Sequence, residues 1–376
     1  MTRQEYKDAN DGGTKPPSVS SMDLGNRYPS IRNNPNNPWL TKVSAGIVRD
    51  TVCHRLSDAY SACRHGKAKP KFHSRSHANQ SFDMYGCRIQ VDGANIRIEK
   101  IGWMTLRGED PYGDQGAIKQ VTVKKELDKW YAYLVRELDD TPKSTGTDVV
   151  GIDRGVAVPI QCSDGTAYHL PDTSLLEAKK KRYQRRISRQ VKGSKRYNRT
   201  RLRAAKCYRK LKYIKRNWAH HVSKDVASKA PVVALEKLNV KSMTAKGGSR
   251  KKGLNREINK SAWGTVARML DYKARKTVYV RPHHTSQICS SCGYRSKANR
   301  VTRSRFECQS CGFIMHADLN ASINIAERAL SEHCRKRKKY QVLRPDKAGH
   351  LHGERRSHKR PLRPVNHTQS SRHPAT

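Results

Sequence analysis

The sequence lacks long hydrophobic runs and the residue patterns of several enzyme classes. No apolar run exceeds about half a dozen residues, so no segment is long enough to cross a bilayer as a helix. The polar start, MTRQEYKDAND, has no apolar segment of a secretory signal. There is neither a Gly-rich phosphate loop nor a His-Glu-x-x-His motif, which argues against an enzyme that acts on small molecules. We therefore expect a cytoplasmic protein with no membrane partner.

Acidic residues are scarce as well. Among 376 residues there are 77 Lys and Arg against 32 Asp and Glu, so the formal net charge is +45. This charge is spread over most of the length and favours a nucleic-acid partner, because phosphate backbones release counterions when they bind basic proteins. A basic surface that serves only solubility is the alternative. Ten cysteines are too few for a disulfide scaffold in a chain of this length, which indicates a reducing compartment.

The first 145 residues combine a polar start, a helical segment and short strands. Residues 1–40 are rich in Asn, Ser, Pro and Gly and are predicted to be mostly disordered, whereas residues 41–66 carry an apolar stripe at helical spacing. From 67 to 145, short strands alternate with turns, including a hairpin signal at Asp92-Gly93, which favours a small β-barrel. Basic residues around this barrel suit contacts to a nucleic-acid backbone: Lys67, Lys69, Lys71 and Arg75.

A strongly basic stretch lies between Glu177 and Asp225, where no acidic residue occurs. Residues 179–216 hold 19 Lys and Arg in 38 positions with aromatic residues interleaved, and Gly193 marks the predicted break between two helices. A helical hairpin along a nucleic-acid backbone explains both the charge and the aromatic residues, whereas a merely solvated helical face normally mixes charges of both signs. The predicted nucleic-acid contacts are Lys179, Lys180, Arg182, Arg185, Arg186, Lys195, Arg196, Arg199, Arg203 and Lys210.

Four cysteines form the most specific local pattern in the chain. Cys289 and Cys292 make one Cys-x-x-Cys knuckle, and Cys308 and Cys311 make a second one, with fifteen residues between the two knuckles. This spacing predicts a structural zinc ribbon that holds one Zn²⁺ ion, because four thiolates close the coordination sphere. Each knuckle is followed by Gly and an aromatic residue, which we expect to pack the small ribbon. Four unpaired thiols at this spacing by chance are the alternative.

Three acidic residues stand where apolar elements begin or end. Asp153 follows the apolar run 149–152, and Glu236 follows the apolar run 232–235. Asp318 opens a predicted helix with an apolar face. Strand ends and a helix start are able to bring the three carboxylates to one edge of a mixed sheet, and the order of elements resembles the ribonuclease H fold. Such a site holds two Mg²⁺ ions that activate water and stabilise the leaving 3′ oxygen of a phosphodiester.

The segments around these residues resemble the TnpB family of insertion-sequence proteins, which are RuvC-like nucleases similar to type V CRISPR effectors. The resemblance rests on GIDRG at 151–155, ALEKLNV at 234–240, TSQICSSCG at 285–293 and HADLNASINI at 316–325. KPKF at 69–72 and QSF at 80–82 resemble the start of the family's barrel region. The resemblance implies RNA-guided cleavage of double-stranded DNA in a prokaryotic host, with a guide RNA from the element's own end. By this resemblance, Asp153, Glu236 and Asp318 match the metal-binding acids, and the four cysteines match the ribbon ligands.

The expected fold class is a mixed α/β multidomain protein, with a ribonuclease H-like (RuvC) nuclease core, an inserted zinc ribbon and a preceding small β-barrel with a helical insert. The expected protein is nucleoid-associated. Residues 244–260, rich in Gly, Lys and Arg, are expected to be mobile. The predicted segments are 1–40, mostly disordered; 41–66, helical; 67–145, the barrel; 146–282, the nuclease core with its basic helical insert; 283–315, the zinc ribbon; 316–330, the final helix of the core; and 331–376, a disordered basic tail.

Two other functions compete with this interpretation. A strand-transfer transposase uses three acids on the same fold, but those enzymes usually place glutamate last, whereas the order here is Asp, Glu, Asp. A nuclease-inactive regulator or decayed transposon protein that binds DNA or RNA is the second alternative, and the presence of all three acids argues against it. The oligomeric state has no signature in the sequence.

Overall fold

The computed structural model describes residues 19–66, 70, 80–108, 112–113, 115–140, 142–245, 248–333, 340–345 and 351–353. The chain divides into two units, Met1–Thr141 and Pro142–Thr376. The first contains helices and two small sheets. The second contains a seven-stranded mixed sheet with the zinc-ribbon sequence inserted before its final helix.

The first unit begins with helices. They are α1 (Ser21–Arg32), a 3-10 turn (Pro38–Lys42), α2 (Ala45–Val48), a π-helical turn (Arg49–Cys53) and α3 (His54–Arg64). The expectation of disorder over 1–40 is therefore wrong for α1, while residues 1–18 lie outside the described residues. Ser20 and Asp23 form a capping box at the start of α1, and Tyr28 is buried. A capping box and one anchored aromatic residue stabilise a helix whose composition is otherwise polar.

Six strands follow in the described part of the first unit, arranged as two antiparallel three-stranded sheets. Their orders are β1-β5-β6 and β2-β3-β4. The strands are β1 (Ser81–Tyr85), β2 (Gln90–Asp92), β3 (Asn95–Ile98), β4 (Gly102–Thr105), β5 (Ala117–Glu126) and β6 (Lys129–Glu137). The hairpin at Asp92-Gly93 is confirmed, with Gly93 at a φ of 53° as a tight turn requires.

One apolar core joins the two sheets. Its buried members are Met84, Ile96, Ile98, Val121 and Val123. Pairing between the two sheets is absent from the described strands, so barrel closure stays a prediction. The four basic residues expected around the barrel, Lys67, Lys69, Lys71 and Arg75, lie outside the described residues.

The second unit is built on a mixed sheet whose central strand is β7 (Asp148–Asp153). β8 (Ile160–Cys162) and β9 (Ala167–Tyr168) continue from it antiparallel. β10 (Val232–Glu236) and β11 (Lys276–Val280) lie parallel to it on the other side. The local order is thus β9-β8-β7-β10-β11.

Helices cover both faces of this sheet. α4 (Ser174–Ile187) and α5 (Lys195–Lys229) form the predicted basic hairpin, with Gly193 at a φ of 89° in the connection. α6 (Val240–Ala245), α7 (Ser249–Lys260) and α8 (Trp263–Lys273) follow β10. After the ribbon strands β12 (Arg305–Glu307) and β13 (Ile314–His316), α9 (Ala317–His333) returns to the sheet.

Side chains alternate between the two faces of the sheet. Val150, Ile152, Val233 and Leu235 join one core with residues of α5 and α8. Val149, Val232 and Ala234 join a second core with residues of α9. Because successive side chains of a strand point to opposite faces, the residues at 153 and 236 continue the α9 face.

The expectation that residues 244–260 are mobile is wrong for α7. Ile258 is buried, and the Lys260 ammonium lies 3.2 Å from the Glu177 carboxylate of α4 and 3.0 Å from the Glu257 carboxylate. The strongly polar composition therefore forms the exposed face of an anchored helix. Residues 246–247 lie outside the described residues.

The expectation of a disordered tail over 331–376 is also wrong in part. α9 continues to His333, and β14 (Gln341–Pro345) and β15 (Leu351–Gly353) add two strands to the sheet. β14 pairs parallel with the first residues of β7, whereas β8 pairs with its last residues. Val342 and Leu343 are buried there, because the short β8 leaves the beginning of β7 open to another strand.

Candidate active site and zinc ribbon

Asp153 and Glu236 are the last residues of two adjacent parallel strands. In the register of β7 and β10, Ile152 lies opposite Leu235, so the two acids follow at the same carboxyl-terminal edge. Both residues follow the set of alternate strand positions whose side chains face α9. Glu236 is 9% exposed, and Asp153 is partly buried. The strand pattern thus brings two carboxylates to one side of one sheet edge.

The third acid, Asp318, is the second residue of α9. This helix crosses β7 so closely that a Cβ added to Gly151 would lie 2.0 Å from the Ser322 carbonyl oxygen and 2.7 Å from the Ala326 amide nitrogen. Glycine at 151 therefore sets the distance between strand and helix. This close approach brings the first turn of α9 to the edge where Asp153 ends β7.

The electrostatics of the site reflect three acids in a small volume. The pKa of Asp153 is raised to about 7, most of all by burial and then by the negative charges of the Glu236 and Asp318 carboxylates. Burial also raises the pKa of Glu236, against a hydrogen bond from Thr285 that lowers it. A buried group of like charges calls for a cation, because a carboxylate away from water is costly unless its charge is compensated.

Three residues at the site were not singled out from the sequence. The Arg154 guanidinium donates to the Glu236 carbonyl oxygen. The Thr285 hydroxyl donates to Glu236 Oε1 over 2.6 Å, and Arg300 Nη2 lies 3.2 Å from Asp318 Oδ1. Arg154 and Thr285 stand inside the quoted motifs, which is the one local signal for them. Arg300 has none, since it reaches the site from the zinc ribbon.

The carboxylates are spread wider than the ligands of one small ion. In the part of the chain that the structure describes, the four cysteines are the single group of three or more candidate ligands whose donor atoms all lie within 4.8 Å of one another. The three acids lack such a tight cluster. Their donor atoms are all carboxylate oxygens, which are the ligands that divalent ions such as Mg²⁺ prefer in proteins.

The cysteines fit a zinc ion closely. Cys289 Sγ lies 3.8 Å from Cys311 Sγ, and Cys292 Sγ lies 3.6 Å from Cys308 Sγ. Sulfur atoms about 2.3 Å from a tetrahedral Zn²⁺ are about 3.8 Å apart. The two knuckles also form turns of the same kind: the Gly293 amide donates to the Cys289 carbonyl oxygen, and the Gly312 amide donates to the Cys308 carbonyl oxygen. The four-cysteine cluster is therefore compatible with one structural zinc ion.

The packing of the ribbon differs from the expectation for its two aromatic residues. Phe313 packs against the small core, but Tyr294 is 41% exposed. The buried aromatic residue is instead Phe306 on β12, in contact with Cys289, Cys308 and Ala317. A hairpin strand points its side chain into the space between the knuckles, which the knuckle sequence alone does not reveal.

The ten predicted nucleic-acid contacts lie on α4 and α5. Nine of them are exposed. Lys180 is half-buried, with its ammonium 5.3 Å from the centre of the Tyr208 ring. The hairpin closes on Thr200, Ala204, Cys207 and Leu211, which are buried on α5. The hairpin therefore leaves most of its predicted contacts on the solvent side.

Among the described residues, none of the helices combines the length and the apolar character that a bilayer crossing requires.

Two family models match the chain. One, described as "Probable transposase" of the OrfB_IS605 type, matches residues 121–246. The other, described as "Cas12f1-like, TNB domain", matches residues 263–325. The first covers the strand that ends in Asp153 and the strand that ends in Glu236. The second covers the zinc ribbon and Asp318.

Individual proteins match over longer stretches. "Putative RNA-guided DNA endonuclease InsQ" of Escherichia coli (strain K12) is 31% identical over 275 residues, which are 69% of this chain and 68% of that protein. A "Putative RNA-guided DNA endonuclease" of Streptomyces pristinaespiralis is 25% identical over 303 residues, 78% of this chain and 73% of that protein. The solved "Cas12f1-sgRNA-target DNA complex" is 16% identical with a TM-score of 0.44, covering 86% of this chain and 80% of that chain. By its likeness to the Escherichia coli protein and the match to the transposase model, this chain belongs to the TnpB family of insertion-sequence proteins.

Proposed function

We propose that this protein is an RNA-guided DNA endonuclease of a transposable element, and that it hydrolyses DNA phosphodiesters with a RuvC-like site. Its relatives in Escherichia coli and Streptomyces pristinaespiralis carry names of RNA-guided DNA endonucleases. The observation that carries the proposal is the placement of Asp153, Glu236 and Asp318 at one edge of the sheet, on the face covered by α9.

The architecture around these acids supports a ribonuclease H-like core. Three antiparallel strands are followed by a helical insert and by two strands parallel to the first, in the order β9-β8-β7-β10-β11. The acids end the central strand and its parallel neighbour and begin the final helix. This is the arrangement expected of the fold, with the helical insert and the zinc ribbon as additions to it.

The donor set suits two Mg²⁺ ions held by Asp153, Glu236 and Asp318. When bound, such ions activate a water molecule and stabilise the leaving 3′ oxygen of the phosphodiester. The chain's own groups prepare the site. Burial and repulsion by the neighbouring carboxylates raise the pKa of Asp153, so a cation would compensate a negative charge that is costly to hold there. Arg300 places a positive charge beside Asp318.

The remaining parts bind and orient nucleic acid. The exposed Lys and Arg side chains of α4 and α5 suit a phosphate backbone, and Tyr208 offers a partly exposed ring beside Lys180. Sequence specificity comes from base pairing between a guide RNA, derived from the element's end, and one strand of a double-stranded DNA target. One Zn²⁺ ion on the four cysteines stabilises the ribbon, and the protein acts in the cytoplasm of a prokaryotic host, associated with the nucleoid.

The first experiment identifies the bound RNA. The protein is expressed together with its native flanking DNA, purified at high salt, and the RNA that remains is sequenced. We expect one discrete RNA that maps to the end of the element. Heterogeneous RNA, or none, would contradict the guide and favour a non-specific nucleic-acid binder.

The second experiment separates cleavage from binding. Asp153→Ala is expected to abolish cleavage of a plasmid that matches the guide while RNA and DNA binding are retained. Asp148→Ala is the matched control, because Asp148 begins the strand that Asp153 ends. Its carboxylate accepts a hydrogen bond from the Gln341 side chain at the opposite end of β7. Cleavage by Asp153→Ala at the wild-type rate would refute the assignment of the active site.

A further inference from the structure

The loop between β11 and the first zinc knuckle, residues 281–288, contacts one of the three acids. Thr285 in this loop is 3% exposed, and its hydroxyl donates to Glu236 Oε1 over 2.6 Å. The Pro282 carbonyl oxygen is a second acceptor, but it lies 3.3 Å away. A hydroxyl has one hydrogen to donate, and the shorter distance assigns it to the carboxylate.

In the part of the chain that the structure describes, Thr285 is the one hydrogen-bond donor to the Glu236 carboxylate. The nearby Arg154 guanidinium donates to the Glu236 main-chain carbonyl oxygen instead. The orientation of the buried carboxylate therefore depends on Thr285. Hydrogen bonds to charged groups are the strong ones, and they fix direction as well as distance.

The loop itself is held by two amide side chains of α9. Asn324 Nδ2 donates to the Thr285 carbonyl oxygen over 2.8 Å and to the Ile288 carbonyl oxygen over 2.7 Å. Asn320 Nδ2 donates to the same Ile288 oxygen, and Asn320 Oδ1 accepts from the Ser290 amide. Both asparagines are buried. Buried amides with satisfied hydrogen bonds keep a loop in one arrangement, since each lost partner costs about 1–3 kcal/mol.

These contacts link two of the acids through one helix. α9 carries Asp318 in its first turn and, two and six residues further on, the asparagines that hold the loop of Thr285. The position of Glu236 relative to Asp318 is thus set through Thr285 and Asn324 as well as through the sheet.

We propose that Thr285 is a positioning residue that orients the Glu236 carboxylate for divalent metal, with Asn324 holding Thr285 in place. The inference rests on the proposed function, because it takes Glu236 as a metal ligand. Groups that hold a metal ligand in place typically contribute about 10–100-fold to metal affinity. The zinc ribbon and its loop thereby act on the active site beyond stabilising the fold.

Three variants of the full-length protein test the inference. Thr285→Val removes the hydroxyl at nearly constant shape, and Thr285→Ser keeps the hydroxyl. Thr277→Val on β11 is the matched control, since the Thr277 hydroxyl is buried without a hydrogen-bond partner in the described residues. Melting temperature and zinc content establish that each variant is folded.

Two quantities are measured: the Mg²⁺ concentration that gives half-maximal cleavage, and direct binding of Mn²⁺ with Asp153→Ala as background. We expect Thr285→Val to weaken both by about tenfold or more, with RNA binding unchanged. Thr285→Ser and Thr277→Val are expected to stay within about twofold of the wild type in both quantities. This change is much smaller than the roughly tenfold loss expected when the hydrogen bond to Glu236 is removed.

The outcomes separate the two proposals. Wild-type behaviour of folded Thr285→Val overturns the positioning role, and so does a Thr285→Ser variant as impaired as Thr285→Val. A wild-type protein that neither cleaves guide-matched DNA nor binds Mn²⁺ above the Asp153→Ala background overturns the proposed function, and the inference with it.

Discussion

Asp153→Asn is expected to stabilise the protein when no magnesium is present. The pKa of Asp153 in the folded chain is about 7, against an ordinary value of 3.8, and burial is the largest cause. An acid whose pKa is raised by folding binds its proton more tightly in the folded state. Above pH 7 the folded protein must therefore hold a charge that the unfolded chain accommodates in water, and stability is lost as the pH rises from about 4 to about 7.

The size of the effect follows from the two pKa values. Their difference of about three pH units, at about 1.4 kcal/mol each, corresponds to about 4 kcal/mol at pH 8. Asparagine is neutral and keeps the oxygen that accepts the Arg154 amide hydrogen bond. We therefore expect the variant to gain about 4 kcal/mol over the wild type at pH 8 and about 1 kcal/mol at pH 4.5. For a unit of this size, the gain at pH 8 corresponds to a melting temperature about 10 °C higher.

Calorimetry of both proteins at the two pH values measures this difference. The buffers contain no magnesium and no chelator, because a chelator would also remove zinc from the ribbon. Asp58→Asn is the control, since Asp58 is exposed on α3. An unchanged or lower melting temperature of Asp153→Asn at pH 8 would refute the reasoning, as would an equal gain at both pH values. Added Mg²⁺ is expected to stabilise the wild type and not the variant.

Four further outcomes are expected. Gly151→Ala should destabilise the second unit by about 1–3 kcal/mol and abolish cleavage, because its Cβ would clash with the Ser322 carbonyl oxygen 2.0 Å away; an unchanged melting curve would contradict this close approach. Cys308→Ser should reduce bound zinc from one ion per chain to none, measured by metal analysis, and full retention of zinc would disprove the ribbon assignment. Val342→Asp should destabilise the same unit by about 1–3 kcal/mol, since Val342 is buried against β7; no change in melting temperature would mean that β14 does not dock in solution. Affinity for nucleic acid should fall by about 10³-fold or more between about 50 and 200 mM salt, and a flat response would refute the role of the basic residues.

Much of the second unit could be predicted because the relevant signals are local. The apolar runs before Asp153 and Glu236 predict the strands that both acids end. The two knuckles each place a pair of cysteines and a glycine within one turn, so the ribbon ligands need no long-range information. The basic hairpin is predicted by composition and by Gly193 at its break.

Other elements could not be predicted because their stability comes from distant partners. α1 is polar in composition and depends on the burial of Tyr28. β14 has two buried apolar residues, Val342 and Leu343, in a basic tail, and it becomes a strand because the beginning of β7 is open to pairing. α7 has the composition of a mobile loop, yet Ile258 and the ion pairs of Lys260 anchor it. In each of these cases, the local composition does not reveal the distant residues that stabilise the element.

The candidate site also has one part that follows from local sequence and another that depends on distant partners. The sequence by itself determined which acids end the strands and begin the helix, since the period of two along β7 and β10 and the start of α9 are local properties. Only the tertiary structure decided what surrounds these acids. Thr285 reaches Glu236 across 49 residues of sequence, and Arg300 reaches Asp318 from the folded zinc ribbon. Hydrogen bonds and charges act through space over a few ångströms, so their partners are known only once the chain has brought them together.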